Sequence, residues 1–565
     1  MSEFVLALAA VFIAAGALLL VANYLEFPVV PFYIVAGLIA GQFIAPEALL
    51  ELALWGIAFL VFVFGTRVDI GDVKLVLRDG EVAAFTQLAI VAPLSFGIGY
   101  LLGEAVGFEE PFRNALYFSA AATLSSTLVG THEIEQQIRK NLVHGRLASS
   151  VHFFDDIVAI GALLILSAEL LTDVEQVTSK IGFGVLFLIA GLLIYRHGYP
   201  LLIRATGGGD ELLLMGSISI LIVFLAAAEF IGISIVVGAF AAGVAVRGEG
   251  AGSLGVRNGI ESIRDFFSAI FFVTVGALVA IPSIEVLLFA GLLVGLVTVV
   301  NPIIHTTAFV LEGYDGRTGF LAGSSLNQIS ELAIVIAIQA WLLTETITPT
   351  MFDAIILAAA VTMILSAVAG RYEQRVYEMF LAPLLAGRTD YIDEHSSVAD
   401  DLSNHVVLVG YGRHGRRLVH LFEDRGIPYV VIENDPAIRG DLESECDNYV
   451  FGDAMAEYPL KRCRIDQAAL IVSTVAHLPV SESILRVQTD ADIILRSDSS
   501  VTAEELLDSG ATFVAVPSVL AADQLVAQVE RVLGDETAIE AIEADHRDYL
   551  RRIELAGYER RVAER

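Results

Sequence analysis

Two adjacent aspartates, Asp155 and Asp156, lie in a stretch that is otherwise almost wholly apolar, from Leu147 to Leu171. A charged side chain near the middle of a membrane helix costs about 3 kcal/mol and usually marks an ion or proton pathway. Successive helical residues point about 100° apart, so both carboxylates can border one water-filled crevice. The alternative is a salt bridge to a neighbouring helix, but basic residues are few at membrane depth. The pair therefore predicts an ion or proton site.

Two polar interruptions accompany this pair in the apolar part of the chain. The first, AATLSSTLVG, offers four hydroxyl side chains, including those of Ser126 and Thr127, and the second, GSSLNQISELAIV (residues 323–335), contains Ser330 and Glu331. The second lies seven apolar segments after the first, so the two helices run in opposite directions, as an inverted repeat requires. Small polar residues also serve close helix packing, which is the plainer interpretation. Broken helices at equivalent places in inverted halves predict an ion site near the membrane midplane.

The apolar residues are concentrated in the first two thirds of the chain. Of the 565 residues, 56% are hydrophobic, which is too many for a soluble protein of this size. We expect about thirteen membrane helices over residues 1–380, and the excess of Lys and Arg in alternate loops predicts an outside N-terminus and a cytoplasmic C-terminal domain. The apolar stretches begin near Phe4, Phe27, Ala48, Glu81, Phe112, Arg146, Ser179, Glu211, Ile233, Ser262, Ser283, Thr318 and Met351.

The net charge of −32 is extreme and argues against a nucleic-acid partner, which requires a basic face. Either a solvated acidic surface suited to concentrated salt, as in halophiles, or a positively charged partner would explain it. The two cysteines, Cys446 and Cys463, match no metal-binding spacing, and a disulfide is not expected in a cytosolic domain.

A glycine-rich turn marks the polar last third of the chain. In VVLVGYGRHGRRL, Gly410, Gly412 and Gly415 follow a predicted strand and precede a predicted helix. This pattern suits a dinucleotide pyrophosphate at a helix N-terminus, and Glu433, at the end of the next strand, can accept from ribose hydroxyls. A nucleotide fold that has lost its ligand is the alternative. Alternating strands and helices predict a parallel α/β domain over residues 404–520, after a linker (381–403) and before a helical tail (521–565).

The membrane part resembles the monovalent cation:proton antiporter family 2, which has the sodium/proton antiporter fold of the NhaA type. The likeness is carried by FLVFVFGTRVD, ATLSSTLVG, HFFDDIVAI, SIVVGAFAAGVAV, SIRDFFSAIFFVTVGAL and LNQISELAIVI, in the family's order over most of residues 20–370. The resemblance implies inverted repeats with crossed broken helices, a moving core domain and a panel domain that forms a homodimer. It assigns Asp156 as the cation and proton ligand, Asp155 as its partner, and Thr127 with its neighbours as the lining of the crossing.

One position departs from the family. A lysine often occurs in the helix before the second broken one, whereas this chain has Asn301 in the matching stretch VTVVNPIIH. An asparagine cannot release a proton, so the stoichiometry and electrogenicity of transport stay open. Asn301 is expected to hydrogen-bond Asp155 or to cap the helix at Pro302. His152, one turn before the aspartate pair, is a candidate second titrating group.

The soluble part resembles the RCK N-terminal (potassium-transport nucleotide-binding) domain, in which the stretch FGDAM is a recurrent signature. The resemblance implies a dimer that binds NAD(H) or an adenine nucleotide (AMP, ADP or ATP) as a regulator. Arg413, Asp435 and Asp453 join the predicted cofactor site with the three glycines and Glu433.

These observations predict a secondary antiporter in the cell membrane that exchanges Na⁺ or K⁺ for protons and contributes to pH and salt homeostasis. The alternatives are a nucleotide-gated cation channel and a potassium efflux system. A channel would need a filter such as a T-V-G-Y-G loop, which is not in the sequence. An enzyme is not expected, because no substrate domain follows the dinucleotide fold.

Overall fold

The computed structural model describes residues 3–25, 27–41, 46–67, 81–126, 143–166, 174–206, 210–246, 254–342, 345–381, 395–399, 401–435, 438–455, 457–534 and 547. The chain forms two compact units, one made mostly of residues up to Met379 and the other mostly of residues from Phe380 onward.

The first unit consists of apolar helices, and every predicted apolar stretch overlaps one of them. The helices are α1 (Glu3–Leu25), α2 (Val29–Ala40), α3 (Pro46–Arg67), α4 (Glu81–Val106), α5 (Pro111–Thr123), α6 (Val143–Leu166), α7 (Val174–Leu193), α8 (Tyr199–Ala205), α9 (Asp210–Ile231), α10 (Ile235–Val246), α11 (Leu254–Leu278), α12 (Ile284–Leu311), α13 (Gly316–Ser324), α14 (Glu331–Leu342) and α15 (Pro349–Val376). Within the described residues, five stretches are long and apolar enough to cross a membrane, and they lie in α4, α7–α8, α9, α12 and α15.

Glycines allow the helices of one bundle, which includes α2, α3, α10 and α11, to touch backbone to backbone. A Cβ on Gly276 of α11 would lie 2.0 Å from the Ile34 carbonyl of α2, and one on Gly243 of α10 would lie 2.1 Å from the Phe62 carbonyl of α3. Such approach is possible only without a side chain, and small residues favour it in membranes. Helices α2 and α10 are the second helices of the two repeats, and α3 and α11 are the third. Each contact therefore joins the second helix of one repeat to the third helix of the other, as inverted repeats predict.

Helices α4 and α12, which lie outside the bundle of α2, α3, α10 and α11, share a backbone feature. Each contains a π-helical turn, Gln87–Val91 in α4 and Leu296–Val300 in α12, and each turn is followed two residues later by a proline, Pro93 or Pro302. Proline lacks an N–H and its ring collides with the carbonyl four residues earlier, so a wider turn relieves the helix there. The same arrangement occurs between α7 and α8, where Pro200 follows the π turn Ile194–Gly198.

The chain leaves the helical conformation in both predicted interruptions. Helix α5 ends at Thr123, and Leu124 leaves the helical conformation with φ −79° and ψ 125°. Helix α13 ends at Ser324, and α14 begins at Glu331 after a non-helical segment.

The second unit contains a six-stranded parallel sheet in the order β3-β2-β1-β4-β5-β6. The strands are β1 (His405–Val409), β2 (Tyr429–Glu433), β3 (Tyr449–Phe451), β4 (Ala468–Ser473), β5 (Asp492–Arg496) and β6 (Phe513–Ala515). The helices are α16 (Arg413–Arg425), α17 (Arg439–Glu445), α18 (Glu457–Arg462), α19 (Leu478–Leu485), α20 (Ser500–Asp508) and α21 (Pro517–Gly534). The order reverses between β1 and β4, and ligands of such folds bind at the carboxyl ends of the strands beside this point.

Candidate functional sites

The two interrupted helices of the first unit meet where their backbones are extended. Ser125 and Ile329 form an antiparallel bridge. The Ser126 N–H donates to the Gln328 carbonyl at 3.1 Å, and the Ser330 N–H donates to the Leu124 carbonyl at 3.0 Å. Backbone groups that a broken helix leaves unpaired must be satisfied inside the protein at membrane depth. Each break therefore supplies hydrogen-bond partners to the other, and the crossing follows from this pairing.

Asp155 lies directly against this crossing. Its side chain is 2% exposed. The Oδ2 atom accepts from the Ser125 N–H at 3.0 Å and from the Ser125 hydroxyl at 2.5 Å. The same hydroxyl oxygen lies 3.0 Å from Nδ1 of His152, which is also buried. Because the hydroxyl hydrogen is directed to Asp155, the imidazole Nδ1–H donates to the hydroxyl oxygen in this arrangement.

Asp156 occupies a different environment from its neighbour. It is only partly buried and points about 100° away from Asp155 around α6. The pair is thus divided: Asp155 is held by the crossing, whereas Asp156 is the less buried residue of the two. The sequence identified both residues, but not this division.

A second buried acid stands on the other side of the crossing. Glu331 is 0% exposed at the first residue of α14, and the Ser126 hydroxyl donates to its Oε2 atom. The Ser330 hydroxyl accepts from the Leu332 N–H at 3.1 Å. A carboxylate at a helix N-terminus is stabilised by the helix dipole and by the unpaired N–H groups there. The crossing therefore brings together Ser126, Ser330 and Glu331, while Thr127 lies outside the described residues.

Asn301 has a partner other than the expected one. Its side-chain amide donates to the Ala122 carbonyl at 2.8 Å, so among the described contacts it holds the end of α5 rather than Asp155. It also lies in the first turn after the π segment of α12, directly before Pro302. The residue therefore positions the broken helix.

Two further buried polar residues, Gln87 and His305, were not singled out from the sequence. The Nε2 atom of His305 lies 2.8 Å from Oε1 of Gln87, and the Gln87 amide donates to the Thr123 carbonyl. Both side chains are 0% exposed. Polar types in otherwise apolar helices were the available signal, and the π turn that begins at Gln87 is visible only in the structure.

The glycine turn of the second unit has the geometry of a phosphate-binding loop. Gly410 has φ +95°, which favours glycine, and a Cβ on Gly415 would lie 2.0 Å from the Gly410 carbonyl oxygen. Gly412 caps the N-terminus of α16, whose first residue, Arg413, is exposed. The fingerprint therefore folds as predicted between β1 and α16.

Glu433 ends β2 beside this turn and is 9% exposed. Its Oε2 accepts from the Tyr411 N–H at 2.7 Å, and its Oε1 accepts from the N–H groups of Asn434 (2.8 Å) and Asp435 (2.9 Å). Burial, and then the nearby Asp435 charge, raise the pKa of Glu433, while these three hydrogen bonds oppose the rise. A carboxylate has about four acceptor positions, and these three hydrogen bonds occupy three of them. One position therefore remains for a ribose hydroxyl.

The other predicted cofactor residues lie at the same edge of the sheet. Asp435 and Asp453 are both buried, and Asp453 Oδ1 accepts from the Met455 N–H at 2.9 Å. Asp435 follows β2 and Asp453 follows β3. The carboxyl ends of neighbouring parallel strands meet at one edge, so these acids flank the end of β2.

An ion-pair network fixes α16 against α17. Arg416 lies 2.6 Å from Asp441 and 3.2 Å from Glu445, and its guanidinium is 4.9 Å from the centre of the Tyr411 ring. The Tyr411 hydroxyl donates to Glu445 at 2.6 Å. The turn residue Tyr411 is thereby held at its backbone by Glu433 and at its hydroxyl by Glu445.

Buried carboxylates at a crossing of two broken helices, followed by a sheet domain with a glycine turn, define a membrane ion exchanger joined to a Rossmann-like domain. The profile of the family described as sodium/hydrogen exchanger, transmembrane, matches residues 8–370, and that of the TrkA-N domain matches residues 406–517. The chain belongs to the sodium/hydrogen exchanger family and carries a TrkA-N domain. The predicted antiporter class and the predicted RCK N-terminal (TrkA-N) domain are confirmed.

Two curated relatives span most of the chain. K(+) efflux antiporter KefB of Alkalimonas amylolytica is 24% identical over 529 residues, which are 87% of this chain and 76% of the relative. Cation/proton antiporter YbaL of Escherichia coli is 26% identical over 480 residues, 81% of this chain and 84% of the relative. The solved structure of the sodium proton antiporter MjNhaP1 from Methanocaldococcus jannaschii covers 67% of this chain and 99% of its own, with 16% identity and a TM-score of 0.49.

Proposed function

We propose that this exchanger carries a monovalent cation and protons in opposite directions by alternating access, with Asp155 and Asp156 as the shared binding carboxylates. The observation that carries the proposal is the hydrogen bonding of Asp155 to Ser125 at the crossing. Carboxylate, hydroxyl and backbone oxygens are the ligands that alkali cations prefer, and a carboxylate can hold either a cation or a proton.

Cation and proton compete in this scheme. Binding of the cation at Asp156, with Asp155, Ser126 and Glu331 around the crossing, displaces a proton from the carboxylate pair. The core helices then move relative to the bundle that contains α2, α3, α10 and α11, and the site opens to the other side. The glycine contacts of that bundle support its role as the fixed part, because close-packed backbones resist deformation.

Potassium is the first cation to test, because the relative KefB of Alkalimonas amylolytica is named as a potassium efflux antiporter. Purified protein in liposomes is expected to move protons in response to a K⁺ or Na⁺ gradient, and the two cations are compared with and without an imposed membrane potential. Asp156→Asn and Asp155→Asn should each abolish the flux. Glu229→Gln, a neutralisation of an exposed acid in α9, is the control and should retain it. Wild-type flux in Asp156→Asn would refute the proposal.

The assembly and orientation proposed here are a homodimer in the cell membrane, with the N-terminus outside and the TrkA-N domain in the cytoplasm. The asymmetric distribution of Lys and Arg among the loops supports the orientation. Single cysteines introduced near Thr346 and near Tyr314, at opposite ends of helices α13–α14, test this orientation. Each variant is treated in intact cells with a cysteine reagent that cannot cross the membrane. Only the cysteine near Thr346 should react.

The TrkA-N domain is proposed to bind NAD(H) or an adenine nucleotide and thereby to regulate exchange. The absent side chain of Gly415, the positive φ of Gly410 and the one open acceptor position of Glu433 fit such a ligand. Arg413 would lie beside the phosphates, and Asp435 and Asp453 beside the ribose. Calorimetric titration of the full chain with NAD, NADH, AMP, ADP and ATP is expected to give saturable binding for at least one, and no heat with any of them would contradict it.

A further inference from the structure

One buried amide side chain at the crossing takes no part in the carboxylate pair. Gln328 lies in the non-helical segment between α13 and α14 and is 1% exposed. Its backbone carbonyl accepts from the Ser126 N–H at 3.1 Å, and its side-chain Nε2 donates to the Ser126 carbonyl at 3.2 Å. Gln328 is therefore bound to Ser126 through both its backbone and its side chain.

The oxygen of the Gln328 amide has no comparable partner. The Ser126 carbonyl can only accept, so the amide nitrogen must face it and Oε1 must point elsewhere. The Oε1 atom is buried and accepts no hydrogen bond from the part of the chain that the structure describes. A buried carbonyl oxygen without a donor is unfavourable, and a positive charge beside it removes that penalty.

A negative charge lies on the same side of the crossing. Ser125 and Ile329 form the antiparallel bridge. Ser126 and Gln328 come next on the two chains, so their side chains share the other face of this short ladder. On that face the Ser126 hydroxyl donates to the carboxylate of Glu331, which is 0% exposed. A carboxylate, a hydroxyl and an amide oxygen are therefore grouped around Ser126.

Asn301 divides its amide in the same way. Its nitrogen donates to the Ala122 carbonyl at 2.8 Å, and its Oδ1 atom is buried and accepts nothing from the described residues. Two amides thus hold the chain on either side of the end of α5 with their N–H groups and leave their oxygens unused. Neutral carbonyl oxygens can replace the hydration shell of an alkali cation, whereas an amide does not titrate near neutral pH.

We infer that the Oε1 atom of Gln328 is a ligand of the transported cation, next to the Ser126 hydroxyl and the Glu331 carboxylate. This inference rests on the proposed function and adds a neutral ligand to that site. A hydroxyl oxygen that donates its hydrogen to a carboxylate still has lone pairs for a cation. Because the amide binds a cation but no proton, Gln328 strengthens only one of the two competing ligands.

The test separates cation affinity from turnover. In Gln328→Met, loss of one oxygen ligand should raise the half-saturating K⁺ or Na⁺ concentration about tenfold or more and leave the maximal flux in place. The factor should be the same at every pH, because no proton-binding group has been removed. Initial proton fluxes in liposomes at a series of cation concentrations and pH values measure both quantities. A lower maximal flux with an unchanged half-saturating concentration would mean that Gln328 only holds the crossing, and would overturn the inference.

Two further variants complete the test. Gln328→Glu keeps the size and an oxygen but can bind a proton, so the half-saturating concentration should depend more steeply on pH than in wild type. This variant also serves if Gln328→Met does not fold. Gln339→Met makes the methionine substitution at another buried glutamine, in α14, whose amide donates to Ser234 at 3.1 Å, and it should keep the wild-type half-saturating concentration.

Three outcomes have different meanings. An unchanged pH dependence in folded Gln328→Glu would overturn the inference. A rise in Gln339→Met equal to that in Gln328→Met would overturn it as well, because loss of any buried amide would then have this effect. Absence of exchange in wild type would instead refute the proposed function.

Discussion

Replacing Gly415 by alanine is expected to disrupt the glycine turn and to abolish nucleotide binding. The added Cβ would lie 2.0 Å from the Gly410 carbonyl oxygen, whereas a tolerated contact is about 3.2 Å or more, so α16 and the turn must separate by about 1.2 Å. Neither side can yield easily. Helix α16 is fixed by Arg416 against Asp441 and Glu445, and the turn is fixed by Glu433.

The magnitude follows from the cost of such overpacking, which reaches about 3 kcal/mol in a well-packed core. For a domain of roughly 110 residues this corresponds to a fall of about 12 °C in the midpoint of thermal unfolding. The displacement also moves the N–H groups at the start of α16 away from the phosphate position. We therefore expect nucleotide binding to be lost in addition to the loss of stability. Calorimetric titration with NAD and ADP measures binding, and hydrogen exchange of the peptides from β1 and α16 measures local stability.

Gly440→Ala is the matched control for this substitution. Gly440 lies in α17, and a Cβ there would meet nothing within 4 Å. Alanine should slightly stabilise this helix, because it loses less conformational entropy than glycine. The reasoning is wrong if Gly415→Ala binds nucleotide with wild-type affinity and shows wild-type exchange protection.

Two further predictions concern the membrane bundle and the sheet domain. Gly276→Ala should prevent the folded exchanger from forming, because its Cβ would lie 2.0 Å from the Ile34 carbonyl, whereas Gly291→Ala should elute as wild type on size exclusion. Burial lowers the pKa of His405, which is fully buried and lies 2.9 Å from the Cys463 carbonyl. The unfolded state therefore binds a proton first as pH falls. The free energy of unfolding should be full above about pH 6.5 and decline below it, and His405→Gln should flatten this profile; an unaltered profile would contradict the assignment.

The sequence alone determined the elements of this protein and the types of its sites. Runs of apolar residues predict membrane helices because a bilayer excludes unpaired polar groups, and the alternation of short strands and helices predicts a parallel sheet. The glycine fingerprint is local: Gly410 and Gly415 act through the backbone of one turn. Asp155 and Asp156 were also identifiable, since a carboxylate in an apolar helix is rarely without a function.

Only the tertiary structure decided which of these groups meet. Asn301 binds the Ala122 carbonyl, 179 residues earlier, and His305 binds Gln87, 218 residues earlier. Such pairs depend on how helices cross and on where π turns rotate a side chain, and the local pattern does not specify either. For the same reason the sequence could not tell Asp155 from Asp156. They differ because adjacent helical residues point in different directions, and the crossing of the two broken helices lies on the side of Asp155.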